Sequence, residues 1–398
     1  MSINFYQLKK LNMKKTISIL LSGIVLLSTL AWCTNTSTQT KTDTKTTVKV
    51  WVIAPLSWPA AVYWEDAVNA YKFTLEKMKQ QGKMKDYNIE LIYEDGKCNG
   101  KDSTSAAQKL ISVDKVDMIL GWVCSAETLA AAKVAQAYKI PMLSAASSAP
   151  AISKLWEWIW RFYSDINQAH LIADYLNDKW SKNIAVLYEN TDYAVDFFQT
   201  LKPLYKWNIL IDEKINSDER DLWIVAKKVA KQVESLDAVI FVNGWTDSLF
   251  LWIINKLDQE WVIKNLKWEF IWTDTLFSSS ILDVVSSKME WFLWATLPDD
   301  WSTYWPKVDS MMGEFKQQYW VKGVNFYIIL YEEAINLITD MFDAGNRDAQ
   351  SISAYLKLVD KENQREWFFG RYYFQWTDSQ WLSFVFKKIV NGKPEFIK

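Results

Sequence analysis

Residues 116–150 read V-D-M-I-L-G-W-V-C-S-A-E-T-L-A-A-A-K-V-A-Q-A-Y-K-I-P-M-L-S-A-A-S-S-A-P, and two strand-to-helix junctions are visible in them. The apolar run 116–120 suits a buried parallel strand, and the alanine-rich 126–138 has the spacing of a helix packed on it. Ser125 lies at that joint. A second short strand, 140–143, runs into Ser144, Ser147 and Ser148, and Pro150 stands where the first turn of another helix begins. Two helix N-termini opening on one crevice present unpaired N–H groups and positive dipole ends, an arrangement that suits a small carboxylate.

The same alternation continues outward. Strands are expected at 48–53, 88–93, 183–187, 208–213, 238–242 and 269–271. Helices are expected at 65–80, 103–112, 168–177, 194–205, 223–233 and 248–258. Residues 303–345 are mainly helical and 371–390 mainly extended. Strands alternating with helices in two series predict an α/β fold of two Rossmann-like lobes with parallel sheets, and a ligand cleft at the carboxyl ends of the strands.

The chain has 398 residues, half of them hydrophobic, a net charge of −2 and a pI near 5.8. It is long enough to bury two cores, and it has no basic stripe that would favour a nucleic acid. Enzyme motifs are missing: no G-x-S-x-G, P-loop or H-E-x-x-H occurs, and the single histidine, His170, leaves little for general-base chemistry. No enzyme activity, cofactor or metal site is expected.

At the start, Lys14 and Lys15 precede an apolar run at 17–30 that is short for a membrane span and fits a signal peptide, with Met13 a plausible start. The run ends Leu30-Ala31-Trp32-Cys33, a bacterial lipobox but for Trp32, so residues 1–32 are expected to be removed and Cys33 to carry lipid. The polar, Thr-rich 34–47 then forms, with Cys33, a flexible tether over 33–47.

Tryptophan is abnormal in number and in place. There are 24 Trp against 11 Gly, where ordinary usage gives roughly 28 Gly. Trp180, Trp207, Trp261 and Trp320 each follow a helical stretch, at the position where glycine adopts a left-handed conformation freely and a bulky residue does not. Trp245, Trp272 and Trp376 also fall in turn contexts. The pattern is that of UGA codons translated as tryptophan where the host inserts glycine. Trp32, Trp51, Trp58, Trp64 and Trp122 belong to the same set, whereas Trp158, Trp160 and Trp223 are expected to be genuine. A Trp-rich surface for stacking sugars is the competing reading.

With these tryptophans read as glycine, residues 48–66 become V-K-V-G-V-I-A-P-L-S-G-P-A-A-V-Y-G-E-D. This resembles the opening of the branched-chain amino-acid (Leu/Ile/Val) binding proteins, the type I periplasmic solute-binding components of ABC importers. The resemblance extends through Tyr93-Glu94-Asp95, Cys98, residues 120–125, residues 141–150, residues 271–274 and Gly392-Lys393. It implies three chain crossings forming a hinge, with an N-lobe of 48–166 plus 298–358 and a C-lobe of 167–297 plus 359–398. It further implies that Ser125 and the backbone of Ala146, Ser147 and Ser148 hold an amino acid's α-carboxylate. Ser148 and the Ala146 carbonyl are also placed near its ammonium, which Asp274 pairs from the other lobe, while Tyr63 and Tyr193 line the cleft. Cys98 and Cys124 match the family's disulfide, consistent with an oxidising compartment. The partners implied are a small amino acid, an ABC permease and a membrane reached through the lipid, with the protein a monomer outside the cytoplasmic membrane. A ligand sensor of the same fold is the alternative.

Overall fold

The computed structural model describes residues 45–57, 61–121, 124–155, 157–244, 247–267, 269–273, 286–298, 306–319, 327–380 and 384–397. The strands of these residues form two sheets. The first contains β1 (Thr46–Ala54), β2 (Tyr87–Asp95), β3 (Ile119–Gly121), β4 (Met142–Ser144) and β5 (Ile159–Arg161). The second contains β6 (Asn183–Glu189), β7 (Asn208–Ile215), β8 (Ala238–Val242), β9 (Glu269–Trp272) and β10 (Leu293–Thr296). All pairings among these ten strands are parallel. Five more strands follow: β11 (Arg365–Trp367), β12 (Gly370–Gln375), β13 (Asp378–Gln380), β14 (Val385–Val390) and β15 (Lys393–Phe396).

The sheet orders are β11-β12-β13-β5-β4-β3-β1-β2 and β15-β14-β10-β9-β8-β6-β7. In β8, A-V-I-F-V, every residue is buried, as a central parallel strand with helices on both faces requires. The architecture is the expected pair of α/β lobes. The chain passes between them after β5, again after β10 when the helices Pro306–Tyr319 and Tyr327–Asp343 return to the first lobe's core, and a third time between β13 and β14.

Several expectations change. The resemblance implies that residues 359–398 belong to the C-lobe, but β11, β12 and β13 are hydrogen-bonded into the first sheet, with β13 beside β5. The third crossing therefore falls after Gln380. The hydrophobic pattern of 371–390 is extended throughout and contains no signal for which sheet receives each strand.

Pro150 starts a single 3-10 turn, Pro150–Lys154, and not a helix. The second serine junction thus lacks a helix dipole. Elsewhere helices begin before the apolar pattern because polar residues cap them: Asn99 accepts from the Asp102 N–H ahead of Gly100–Ser112, and Thr191 from Ala194 ahead of Asp192–Leu201.

The tryptophans divide. Trp180 and Trp261 have φ of +58° and +62°, and Trp376 has +61°, as a glycine position requires. Trp158, expected to be genuine because no turn is needed there, stands at +69°, so that reason does not hold. Trp207 is not left-handed, because its helix ends at Leu201 and the residue leads directly into β7. Trp51 and Trp272 lie buried within strands. Trp32, Trp58, Trp122, Trp245 and Trp320 lie outside the described residues.

Candidate functional site

Between the lobes lies a cavity of about 290 Å³. The first lobe contributes Cys98, Cys124, Ser125 and Ala126, and the second contributes Thr191, Asp192, Tyr193 and Gly244. Two helices open on it: Ser125–Tyr138 from one lobe and Asp192–Leu201 from the other. Their first turns supply N–H groups and positive dipole ends from opposite walls, which suits an anionic group.

Ser125 is the first residue of its helix. Its hydroxyl oxygen accepts from the Ala149 N–H at 3.1 Å, which leaves the hydroxyl hydrogen to donate toward the cavity. Ser147 is fully buried and committed to structure. Its hydroxyl accepts from Thr128 at 2.7 Å and donates to the Cys124 carbonyl at 3.3 Å, and its N–H donates to Ser144 at 3.2 Å. Ala146 is buried among the apolar side chains of the first lobe, and the Ser148 carbonyl accepts from the Asp165 N–H at 3.1 Å. None of Ala146, Ser147 and Ser148 is among the cavity's lining residues. Tyr193 lines it, buried beside Phe197. Tyr63 belongs to the helix Ala61–Gln80, its side chain outside the described residues, and Asp274 and Cys33 also lie outside them.

Cys98 and Cys124 form a disulfide, with Cα atoms 5.4 Å apart, tying the loop after β2 to the start of the Ser125 helix. Beneath it, fully buried Glu127 accepts from the Cys98 N–H at 3.0 Å. Burial pushes its carboxyl up to about 8.

Sequence reasoning missed part of the second wall. Glu189, buried at the end of β6, accepts from the Gly244 N–H at 2.5 Å and from the Ser217 hydroxyl at 2.5 Å. Gly244 is required there, since a Cβ would lie 2.6 Å from Thr191 Oγ1 and 2.7 Å from Glu189 Oε2. The T-D-Y at 191–193 carried a cap signal, but the apolar pattern placed the helix start at 194. Nothing in sequence spacing pointed to Arg161, which is fully buried behind the serine turn.

A larger cavity, about 520 Å³, is lined only by first-lobe residues. Its charges are largely satisfied internally, by Lys83–Asp340 at 2.5 Å, Arg365–Glu333 at 2.7 Å and Lys77–Glu314 at 2.9 Å. The cleft is therefore the better site despite its smaller volume. Among the described residues no group of His, Cys, Asp and Glu could hold a metal, and no helix is long and apolar enough to cross a membrane.

Two α/β lobes with a cavity between them, on which a helix N-terminus opens from each side, define an architecture of the kind in which small-molecule sites occur. The chain belongs to the periplasmic binding protein family, whose model matches residues 47–249. The Leu/Ile/Val-binding protein of Escherichia coli strain K12 is 22% identical over 200 residues, covering 49% of this chain and 54% of that protein. The match thus spans about half the length of that curated relative. A leucine-binding protein from Thermotoga maritima superposes with a TM-score of 0.73 at 18% identity, covering 88% of this chain and 98% of that one. A solute-binding protein of an ABC transporter from Rhodopseudomonas palustris, solved with 3,4-dihydroxybenzoic acid, gives 0.74 at 18% identity, covering 88% and 96%.

Proposed function

We propose that the protein is an extracytoplasmic solute receptor, anchored through lipid on Cys33, that captures a small α-amino acid of the leucine, isoleucine or valine group and delivers it to an ABC permease. The observation that carries this is the convergence of two helix N-termini, one from each lobe, on a cavity of about 290 Å³. The first turns and the Ser125 hydroxyl take the carboxylate. An ammonium needs a countercharge, which Asp274 supplies in this reading. Asp192, at the start of the second helix, is the carboxylate already on the cavity wall.

Calorimetry with leucine, isoleucine, valine, alanine, benzoate and 4-hydroxybenzoate tests the reading. Asp274→Ala is expected to weaken leucine binding by at least a hundredfold, since an ammonium buried without its partner costs roughly 3–5 kcal/mol. Ser125→Ala should cost about 1–2 kcal/mol, because backbone donors remain. If Asp192→Ala carries the large loss instead, the ammonium's partner is reassigned. Tight binding of benzoate, indifferent to both aspartates, overturns the amino-acid reading in favour of an aromatic acid.

A further inference from the structure

We infer that Arg161 is a positioning residue for ligand capture, aligning the Ser125 hydroxyl through the Ala149 peptide and tying that alignment to the third chain crossing; this rests on the amino-acid reading of the cleft. Arg161 is the last residue of β5, its side chain fully buried. A guanidinium has five N–H donors in a rigid plane, and here acceptors surround all of it. Nε donates to Asp378 Oδ1 at 2.5 Å. Nη1 donates to the carbonyls of Ala149 at 2.7 Å and Ser147 at 3.3 Å. Nη2 donates to the hydroxyls of Ser153 at 2.7 Å and Ser164 at 2.8 Å.

These acceptors lie on three pieces of chain, and one side chain reaches all three. Ser147, Ala149 and Ser153 belong to the turn behind the cleft, Ser164 to the first crossing, and Asp378 to β13 just before the third. Asp378 also accepts from Ser153 at 2.6 Å, and Arg161 N–H donates to the Thr377 carbonyl at 2.9 Å. Ala149 is held from both sides, its carbonyl by Arg161 and its N–H by Ser125 Oγ. With one lone pair held by the Ala149 N–H, the Ser125 hydroxyl keeps its hydrogen for a ligand in the cavity that it lines. A buried ion pair is a poor device for stability alone, because apolar residues of the same volume serve as well. A planar fork gripping two backbone carbonyls instead fixes direction.

The test is a double-mutant cycle on leucine binding with wild type, Arg161→Lys, Ser125→Ala and the double variant. Lysine keeps a charge for Asp378 but loses the fork to the carbonyls. Arg161→Lys is expected to weaken leucine at least about tenfold, and the added Ser125→Ala to cost less than about twofold more, because coupled residues are non-additive. Additive losses, or unchanged affinity in Arg161→Lys, overturn the inference. Ser164→Ala, which removes one acceptor and leaves the charge pair intact, replaces Arg161→Lys if that variant does not fold. Amide exchange on the ligand-free protein gives a second readout: the Ala149 N–H should exchange several-fold faster in the variant, and unchanged protection counts against the clamp. A wild type that binds none of the amino acids overturns the amino-acid reading, and amide exchange then decides the clamp by itself.

Discussion

Trp158, Trp180, Trp261, Trp291 and Trp376 all have φ between +58° and +71°, a region where a Cβ crowds the neighbouring carbonyl at a cost of roughly 1–2 kcal/mol per residue. Trp180, Trp261, Trp291 and Trp376 are also more than half exposed, so burial of the indole contributes little against that cost. In the strands, Trp51 and Trp272 bury indole N–H groups without a hydrogen-bond partner, an uncommon state for tryptophan. Both observations are accounted for by glycine. Trp180→Gly, Trp261→Gly and Trp376→Gly are expected each to raise stability by about 1 kcal/mol in urea titrations, whereas Trp207→Gly, where φ is ordinary, should not. Peptide masses from the native host check the codon reading directly. Tryptophan at 180 and 261 there would end it.

At the scale of elements, the loop after β2 and the helix Ser125–Tyr138 are joined by the disulfide and by Glu127, and together they build the first wall of the cleft. Glu127 has its carboxyl raised to about 8 by burial. The unfolded chain releases that proton near pH 4.5, so between about pH 4.5 and 8 the folded state binds more protons than the unfolded one. Stability contributed at this residue therefore falls as pH rises through that window, by at most about 1.4 kcal/mol per pH unit, and levels off above it. Glu127→Gln keeps an acceptor for the Cys98 N–H and should flatten that decline in denaturation curves taken from pH 5 to 8. An unchanged slope would show that Glu127 is ionised in the folded protein. Also at this scale, the β-α alternation, the caps at Asn99 and Thr191 and the buried strand β8 follow from local residues. Which sheet β11–β13 joined did not, because partner choice is a contact between residues some two hundred positions apart.

Across the whole molecule, the lobes touch where the Ala151 N–H donates to Asp196 on the second lobe's helix. The cleft is thus described with its walls together. Beyond the lobes, the proposal of lipid on Cys33 predicts that Cys33→Ala moves the protein from membranes to a soluble fraction; retention in membranes would count against lipidation. By itself the sequence determined two α/β lobes and a cleft at strand ends, because these rest on periodicity, while the Cys98–Cys124 pair, which the structure contains, was legible only through the family resemblance. Only tertiary structure decided that Ser147 serves the junction and not the cavity, that Thr191–Tyr193 form the opposite wall, and that Arg161 meets Asp378. Those roles depend on where side chains from distant strands converge, and a one-dimensional pattern carries no such distance.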